Sequence, residues 1–434
     1  GETTATVTFT DKKTVITETN AISADTLGKE GLPKTDAKIT DTVSMQHLYK
    51  SGQYKLKALL KDQETGDSYL VNGKEVTAEK NFSATASAMN VDVLITADLS
   101  NAVGKKLVVY EYLYQIVDGK EFLISSHEDI HDEKQTITIP KQEIRTTAKD
   151  KNTQKSEGIA KKDATIIDTV NYSGLIVGQE YTVKGVLMLK GTNEPLLVNG
   201  KEVTAEKTFV PEKSSGSVDV EFTFDASALQ GEAVVVFEHL YVQDVEVASH
   251  TDIEDQGQTV EYPEHEIKTT AKDKDTQKSE GIAKKNATII DTVSYSGLII
   301  GQEYTVKGVL MLKGTNKPLL VNGKEITAEK TFVPEKSSGS VDIEFTFDAS
   351  ALKGESVVAF EHLYADGVEV ASHTDINDKG QTVTIKVPEL ENPKTGDERN
   401  INKVLGIAGA SLVGIAGCVY FFIKRKKKGD TDNE

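Results

Sequence analysis

Five residue types capable of acyl or proton-transfer chemistry hold matching places in three stretches of the 434-residue sequence. In the second stretch they are Thr146, Asp168, Glu238, His250 and Gln258; in the third, Thr269, Asp291, Glu361, His373 and Gln381. In the first they are Thr19, Asp41, Glu111, His127 and Gln135, with Thr19 preceding Asp41 by the same 22 residues that separate Thr146 from Asp168. A Thr hydroxyl becomes a nucleophile only when a base takes its proton, and an amide carbon becomes an electrophile only when an acid polarises its oxygen. Two carboxyls held together on buried strands cannot both ionise easily, so one keeps a proton and can serve as that acid. Asp168 and Glu238 are the candidates for such a pair, and His250 is the candidate for accepting or relaying the Thr146 proton. The sequence leaves the division of roles among the three open.

Blander readings stand beside this one. Asp168, before Thr169 and Val170, also suits a turn at a strand edge, and His250, Asp252 and Asp255 also suit a metal site in a loop. That metal site lacks a second His at ligand spacing, and no metal or cofactor is expected. Glu238 in an apolar strand is harder to explain blandly, because an unpaired buried carboxylate is costly. His47, His131, His239, His265 and His362 do not hold common places in all copies and read as ordinary surface or structural residues.

The elements that must position these residues form a repeat. TTAKDK at Thr146 recurs at Thr269, IIDTV at Ile166 recurs at Ile289, and VNGKE at Val198 recurs at Val321, each displaced by 123 residues. A diverged copy precedes them, in which the run from Leu70 to Lys80 matches that from Leu197, displaced by 127. The displacement drops to 123 after Glu111, which puts four extra residues in the first copy's hairpin between Gln115 and Ser126. The second and third copies are nearly identical, so the diverged first copy is the informative comparison.

Within each copy apolar and polar residues alternate, as in Val218 to Phe224 and Tyr181 to Leu187, the pattern of strands with one buried face. The Asn-Gly pairs at Asn72, Asn199 and Asn322 supply the positive φ angles of tight hairpins. No sustained helical period appears before the C-terminal apolar run, only a single turn near Asp225 to Leu229. The predicted fold is all-β: three tandem Ig-like sandwiches forming a rod, followed by a C-terminal transmembrane helix. The expected boundaries are a strand-like segment over 1–15, repeats over 16–140, 141–263 and 264–387, a linker with a pentapeptide over 388–403, an apolar span over 404–423 and a tail over 424–434. Only 11 residues run from Gln135 to Thr146 and from Gln258 to Thr269, so the joints are short.

Composition narrows the function. The formal charge of −18 argues against nucleic acid or anionic lipid as partner, since both need a basic footprint. The one cysteine, Cys418, lies in the apolar run, which leaves the repeats without thiols for disulfides or redox chemistry. Asn392-Pro393-Lys394-Thr395-Gly396 precedes the apolar run, and Lys424 to Lys428 follow it. That order resembles an LPXTG-type sorting signal, with Asn392 where the family usually has Leu. The resemblance implies sortase cleavage between Thr395 and Gly396 and attachment of Thr395 to peptidoglycan, so that the membrane is a partner only before cleavage. Gly1 is not an initiator and no export signal precedes it, so the sequence reads as part of a longer chain.

The strings VVYEYLY at Val108, VVFEHLY at Val235 and VAFEHLY at Val358 are followed by HEDIHDEKQT, HTDIEDQGQT and HTDINDKGQT. Together they resemble VaFE-repeat, or Thr-Gln ester-bond, domains of Gram-positive surface proteins, over residues from about 16 to 387. The resemblance implies an intramolecular ester from Thr19 to Gln135, from Thr146 to Gln258 and from Thr269 to Gln381. The acidic residues and the His of each copy would catalyse one self-reaction, with no substrate turned over. The expectation is an extracellular, wall-anchored adhesin shaft. The rivals are a pilin subunit polymerised by sortase, a repeat protein that binds a host protein or glycan without crosslinks, and a conventional surface enzyme, for which no further motif occurs. A host protein or glycan is a candidate partner, through a region outside this sequence or through the repeats themselves.

Overall fold

In the second repeat, strand Glu143–Asp150 buries Ile144, Thr146, Ala148 and Asp150 and turns Glu143, Arg145 and Thr147 outward. This is the period of two expected of a sheet with one wet face. The strand pairs antiparallel with Ala164–Ser173, which pairs with Gly216–Phe224, giving a three-stranded sheet. A larger sheet is built on the pair Tyr181–Leu189 and Glu232–Val242. Thr204–Phe209 and Glu194–Pro195 flank the first of these, and Val245–His250 and Thr259–Tyr262 flank the second. Ile166, Val170, Val220 and Phe222 of the small sheet share one buried cluster with Tyr181, Val183, Leu187, Val236 and Leu240 of the large one. The two sheets therefore close on a common core, as in a sandwich. The first and third repeats follow the same plan around clusters of their own.

The computed structural model describes residues 12–387. They are all-β, with a single 3-10 turn, Gln256–Gln258, among the described residues. Near Asp225 the chain makes one turn, in which the Leu229 amide donates to the Ala226 carbonyl at 2.9 Å. None of the described residues forms a helix long and apolar enough to cross a membrane. Residues 1–11, the pentapeptide Asn392 to Gly396, the apolar run 404–423 and the basic tail lie outside the described residues.

Turn chemistry follows the sequence. Asn72, Asn199 and Asn322 have φ of 53°, 52° and 53°, each followed by a Gly at 75°, and close the two-residue hairpins between Leu70–Val71 and Lys74–Glu75 and at their equivalents. The four additional residues of the first repeat lengthen the hairpin between Lys106–Val117 and Lys120–His127, while its turn stays at Asp118 and Gly119.

Candidate functional site

Register decides which of the candidate residues meet. Ala148 lies opposite Asp168 and Thr146 opposite Val170, so Thr146 and Asp168 face the same core from adjacent strands. In the facing sheet Glu238 lies opposite Gly185 on one side and His250 on the other. Gln258 ends the 3-10 turn that leads into Thr259–Tyr262. Asp168, Glu238 and Gln258 are fully buried and Thr146 is 5% exposed, so these four side chains converge in the interior of the repeat, with His250 half-buried at its edge.

The contacts are specific. Gln258 Nε2 donates to Thr146 Oγ1 at 2.8 Å and to the His250 carbonyl at 3.1 Å. His250 Nδ1 accepts the Thr146 backbone N–H at 3.1 Å and lies 3.3 Å from Thr146 Oγ1. A nitrogen that accepts an amide N–H carries no proton, so the imidazole proton sits on Nε2, which is 3.0 Å from Asp255 Oδ2. Asp255 Oδ1 accepts the Gly257 N–H at 2.6 Å, tying the His partner to the turn that presents Gln258. In the third repeat Gln381 Nε2 donates to Thr269 Oγ1 at 2.8 Å and to Glu361 Oε2 at 2.9 Å, and Thr269 Oγ1 donates to the same Glu361 oxygen at 3.0 Å.

The oxygens of Asp168 and Glu238 are buried, and the groups that act on Asp168 there include the Glu238 carboxyl, the Thr146 hydroxyl and the Thr147 backbone, so the two carboxyls share a proton within a site that also holds the Thr146 hydroxyl. Burial pushes the Asp168 carboxyl up to about 7. It pushes Glu238 up to about 9, further because the Asp168 charge stands beside it. Glu361 rises to about 10 for the same two reasons, and Asp291 rises through burial. Near neutral pH Glu238 and Glu361 thus hold the proton of their pairs. Such a pair can accept a proton at one oxygen and donate one at another. One buried site therefore offers a hydroxyl, an amide, a shared-proton acid pair and an oriented imidazole.

In the first repeat Thr19, Asp41, Glu111 and Gln135 are equally buried, and burial again drives both carboxyls upward. His127 Nε2 lies 2.9 Å from Asp132 Oδ2. No hydrogen bond joins Thr19 to Gln135, whose carboxamide has no partner. Lys29 approaches instead, bonding to the Ala21 and Lys134 carbonyls and, at 3.1 Å, to Asn20 Oδ1. Ser156 and Ser279 stand in its place in the other two repeats.

A family model described as T-Q ester bond containing domain matches residues 2–139, 142–262 and 265–385. The chain belongs to the T-Q ester bond domain family. It carries three such domains in tandem. No curated protein matches it. Among solved structures, a bacterial adhesin from Mobiluncus mulieris containing intramolecular disulfide, isopeptide and ester bond cross-links is 14% identical, with a TM-score of 0.25, covering 51% of this chain and 80% of that one. A 1.5-MDa bacterial ice-binding adhesin is 13% identical, with a TM-score of 0.30, covering 85% of this chain and 98% of that one.

Two features of these T-Q domains are absent from the sequence reading. The His partners Asp132, Asp255 and Asp378 each lie five residues after their His, a spacing visible in all three copies. The metal alternative had grouped Asp255 with Asp252, but Asp252 Oδ1 accepts the Glu254 N–H at 3.0 Å within its own turn. Among the described residues no three His, Cys, Asp or Glu side chains are placed to hold a metal ion. The second feature is Gly185, where a Cβ would lie 2.5 Å from Glu238 Oε1 and 2.4 Å from Phe222 Cζ. The first repeat has Ala58 in that place and the smaller Ile95 where the second has Phe222, so the space is conserved in sum. Of the remaining histidines, His265 is buried, with Nε2 2.9 Å from the Tyr304 hydroxyl, a structural role.

Proposed function

We propose that this chain is the shaft of a wall-anchored bacterial surface adhesin, in which each T-Q domain joins its first strand covalently to the segment leading into its last. The observation that carries the reading is the buried contact between the Thr146 hydroxyl and the Gln258 carboxamide beside the Asp168–Glu238 pair. A half turn of the carboxamide exchanges its nitrogen and oxygen and offers the oxygen to the protonated Glu238. Thr146 Oγ then attacks Gln258 Cδ and its proton passes to the acid pair. The C–N bond breaks, the nitrogen takes up that proton, and ammonia leaves. The Oγ–Cδ ester remains, and atoms balance as hydroxyl plus primary amide giving ester plus ammonia. His250, turned by Asp255, holds the Thr146 backbone and stands near enough to its hydroxyl to relay the proton.

The loop so closed spans 112 residues. By the chain-entropy argument used for disulfides, closing a loop of this size stabilises the fold by about 4–5 kcal/mol. Under load the link matters more, because tension enters at the first strand and leaves at the last. Unlinked, the loop can extend by about 3.4 Å per residue, on the order of 380 Å; linked, it stays folded. The surface location rests on the order of pentapeptide, apolar run and basic cluster at 392–428, which fits export, sortase cleavage after Thr395 and attachment to peptidoglycan. The lack of thiols before Cys418 fits a protein stapled by other means in an oxidising exterior.

The test is the intact mass of the denatured chain ending at Val387. Each ester removes about 17 Da, the mass of one ammonia. A deficit that drops by two such steps when Thr146 and Thr269 are changed to Ala supports the reading, and the full calculated mass in folded wild-type protein rejects it.

A further inference from the structure

Leu32 belongs to the first repeat in sequence, yet it is fully buried in the hydrophobic cluster of the second. Ile159, 127 residues later and at the equivalent place of the second repeat, is 1% exposed and belongs to the cluster of the third. Ile282 holds that place in the third repeat and is 42% exposed. The three residues sit in matching strings, Glu-Gly-Leu and twice Glu-Gly-Ile, at Glu30, Glu157 and Glu280. Each string runs parallel beside the last strand of its own repeat: Glu30 pairs with Thr138, Glu157 with Glu261 and Glu280 with Thr384. It is thereby held at the end of the sandwich where the chain passes on.

We infer that Leu32 and Ile159 form an ordered interlock, in which an apolar knob from each of the first two repeats completes the core of the repeat that follows it. The receiving site in the third repeat contains Leu298, Ile299 and Tyr304, in the same buried cluster as Ile159. Its counterpart in the second contains Leu175, Ile176 and Tyr181, in the cluster with Leu32. Two further features pin the joint. The chain entering each of these repeats passes so close to a glycine that a Cβ at Gly174 would lie 2.1 Å from the Lys141 carbonyl, and one at Gly297 would lie 1.9 Å from that of Glu264. Both glycines also have positive φ, 74° and 75°. The linker path is therefore fixed as well as short.

The second joint has an additional clasp. Asp366, at the tip of a hairpin in the third repeat, receives hydrogen bonds from Lys161 and Asn152 of the second, both at 2.9 Å, and from Gln302 of its own repeat at 3.0 Å. Burial opposes the Asp366 charge, but these donors outweigh it and hold the carboxyl below its usual range. At the first joint the corresponding residues are Lys34, Asp25 and Gln243, and Lys34 pairs with Asp25 inside the first repeat at 2.9 Å. The interlock is thus common to both joints, and the joint nearer the C-terminus is the stiffer. Tethering supplies what a single side chain cannot, since a short linker keeps knob and site at high effective concentration.

Ile282 is the built-in control. Amide hydrogen exchange is compared in the chain ending at Val387 for wild type, Ile159→Ser and Ile282→Ser. Ile159→Ser is expected to speed exchange in segments 263–268 and 298–304 at least tenfold, while Ile282→Ser leaves them unchanged; equal behaviour of the two variants overturns the interlock. Asp366→Ala is expected to speed exchange at this joint and not in 136–142 or 175–181, and an equal effect at both joints overturns the clasp. Exchange in Tyr181–Leu189 reports whether the second repeat is folded, independently of any ester. If Ile159→Ser loses that protection, Ile159→Ala replaces it, with a threefold change in 298–304 expected and no change overturning the proposal.

Discussion

Thr146 and Gln258 are 112 residues apart in the chain, and their side chains meet at 2.8 Å in the interior of the second repeat. Thr146 lies on the first strand of the repeat and Gln258 just before the last, so a bond between them would bracket everything in between. Asp168, Glu238 and His250 beside the contact have chemistry suited to making that bond, and the site suggests several measurements.

Glu238→Gln keeps the size of the side chain and removes its acid. The 17 Da deficit of the second repeat is expected to vanish while that of the third persists, with the fold retained by circular dichroism. A full deficit in this variant would move the acid role away from Glu238.

Asp255→Asn leaves a hydrogen-bond partner for His250 but removes the charge that favours its Nε2–H tautomer. Crosslinking of the second repeat, followed by mass after refolding, is expected to slow by at least about 10-fold, the lower end of the losses seen when a histidine loses its orienting carboxylate. The third repeat, served by Asp378, should keep its rate.

The rate of crosslinking should depend on pH with a bell shape. The singly protonated acid pair is the form able both to accept and to donate, and in the second repeat it exists between about 7 and about 9. The expected maximum lies in that interval, with decline on both sides as the pair gains or loses its shared proton.

Stability without the crosslink should fall as pH rises. The folded carboxyls of Asp168 and Glu238 titrate above their unfolded values, so the folded state binds more protons than the unfolded between those limits. Their contribution is fully present below the ordinary carboxylate range and is lost as pH climbs towards about 7 and then about 9. Urea unfolding of the variant with Thr146 and Thr269 changed to Ala, from pH 4 to pH 9, checks the sign.

Gly185→Ala crowds Glu238 and Phe222 and is expected to destabilise the second repeat by about 1–3 kcal/mol and to slow its crosslinking. Adding Phe222→Ile, the pairing found in the first repeat as Ala58 and Ile95, should restore much of both.

Sequence alone determined the repeat and the alternation of its strands and singled out five residue types at matching places in each copy, because period and residue type are local properties that duplication lays side by side. It also contained Asp255 at a fixed distance from His250, but in one dimension a carboxylate near a histidine does not show what it holds. Only the tertiary structure decided that point, since the Nδ1 contact with the Thr146 amide fixes the tautomer and sends Nε2 to Asp255. Strand register likewise placed Glu238 opposite Gly185 and gave the glycine its meaning. The burial of Ile159 in its neighbour, against the exposure of Ile282, was beyond reach of a pattern in which both residues sit in the same Glu-Gly-Ile string. What separates them is packing across a joint, a relation between repeats that no single repeat encodes.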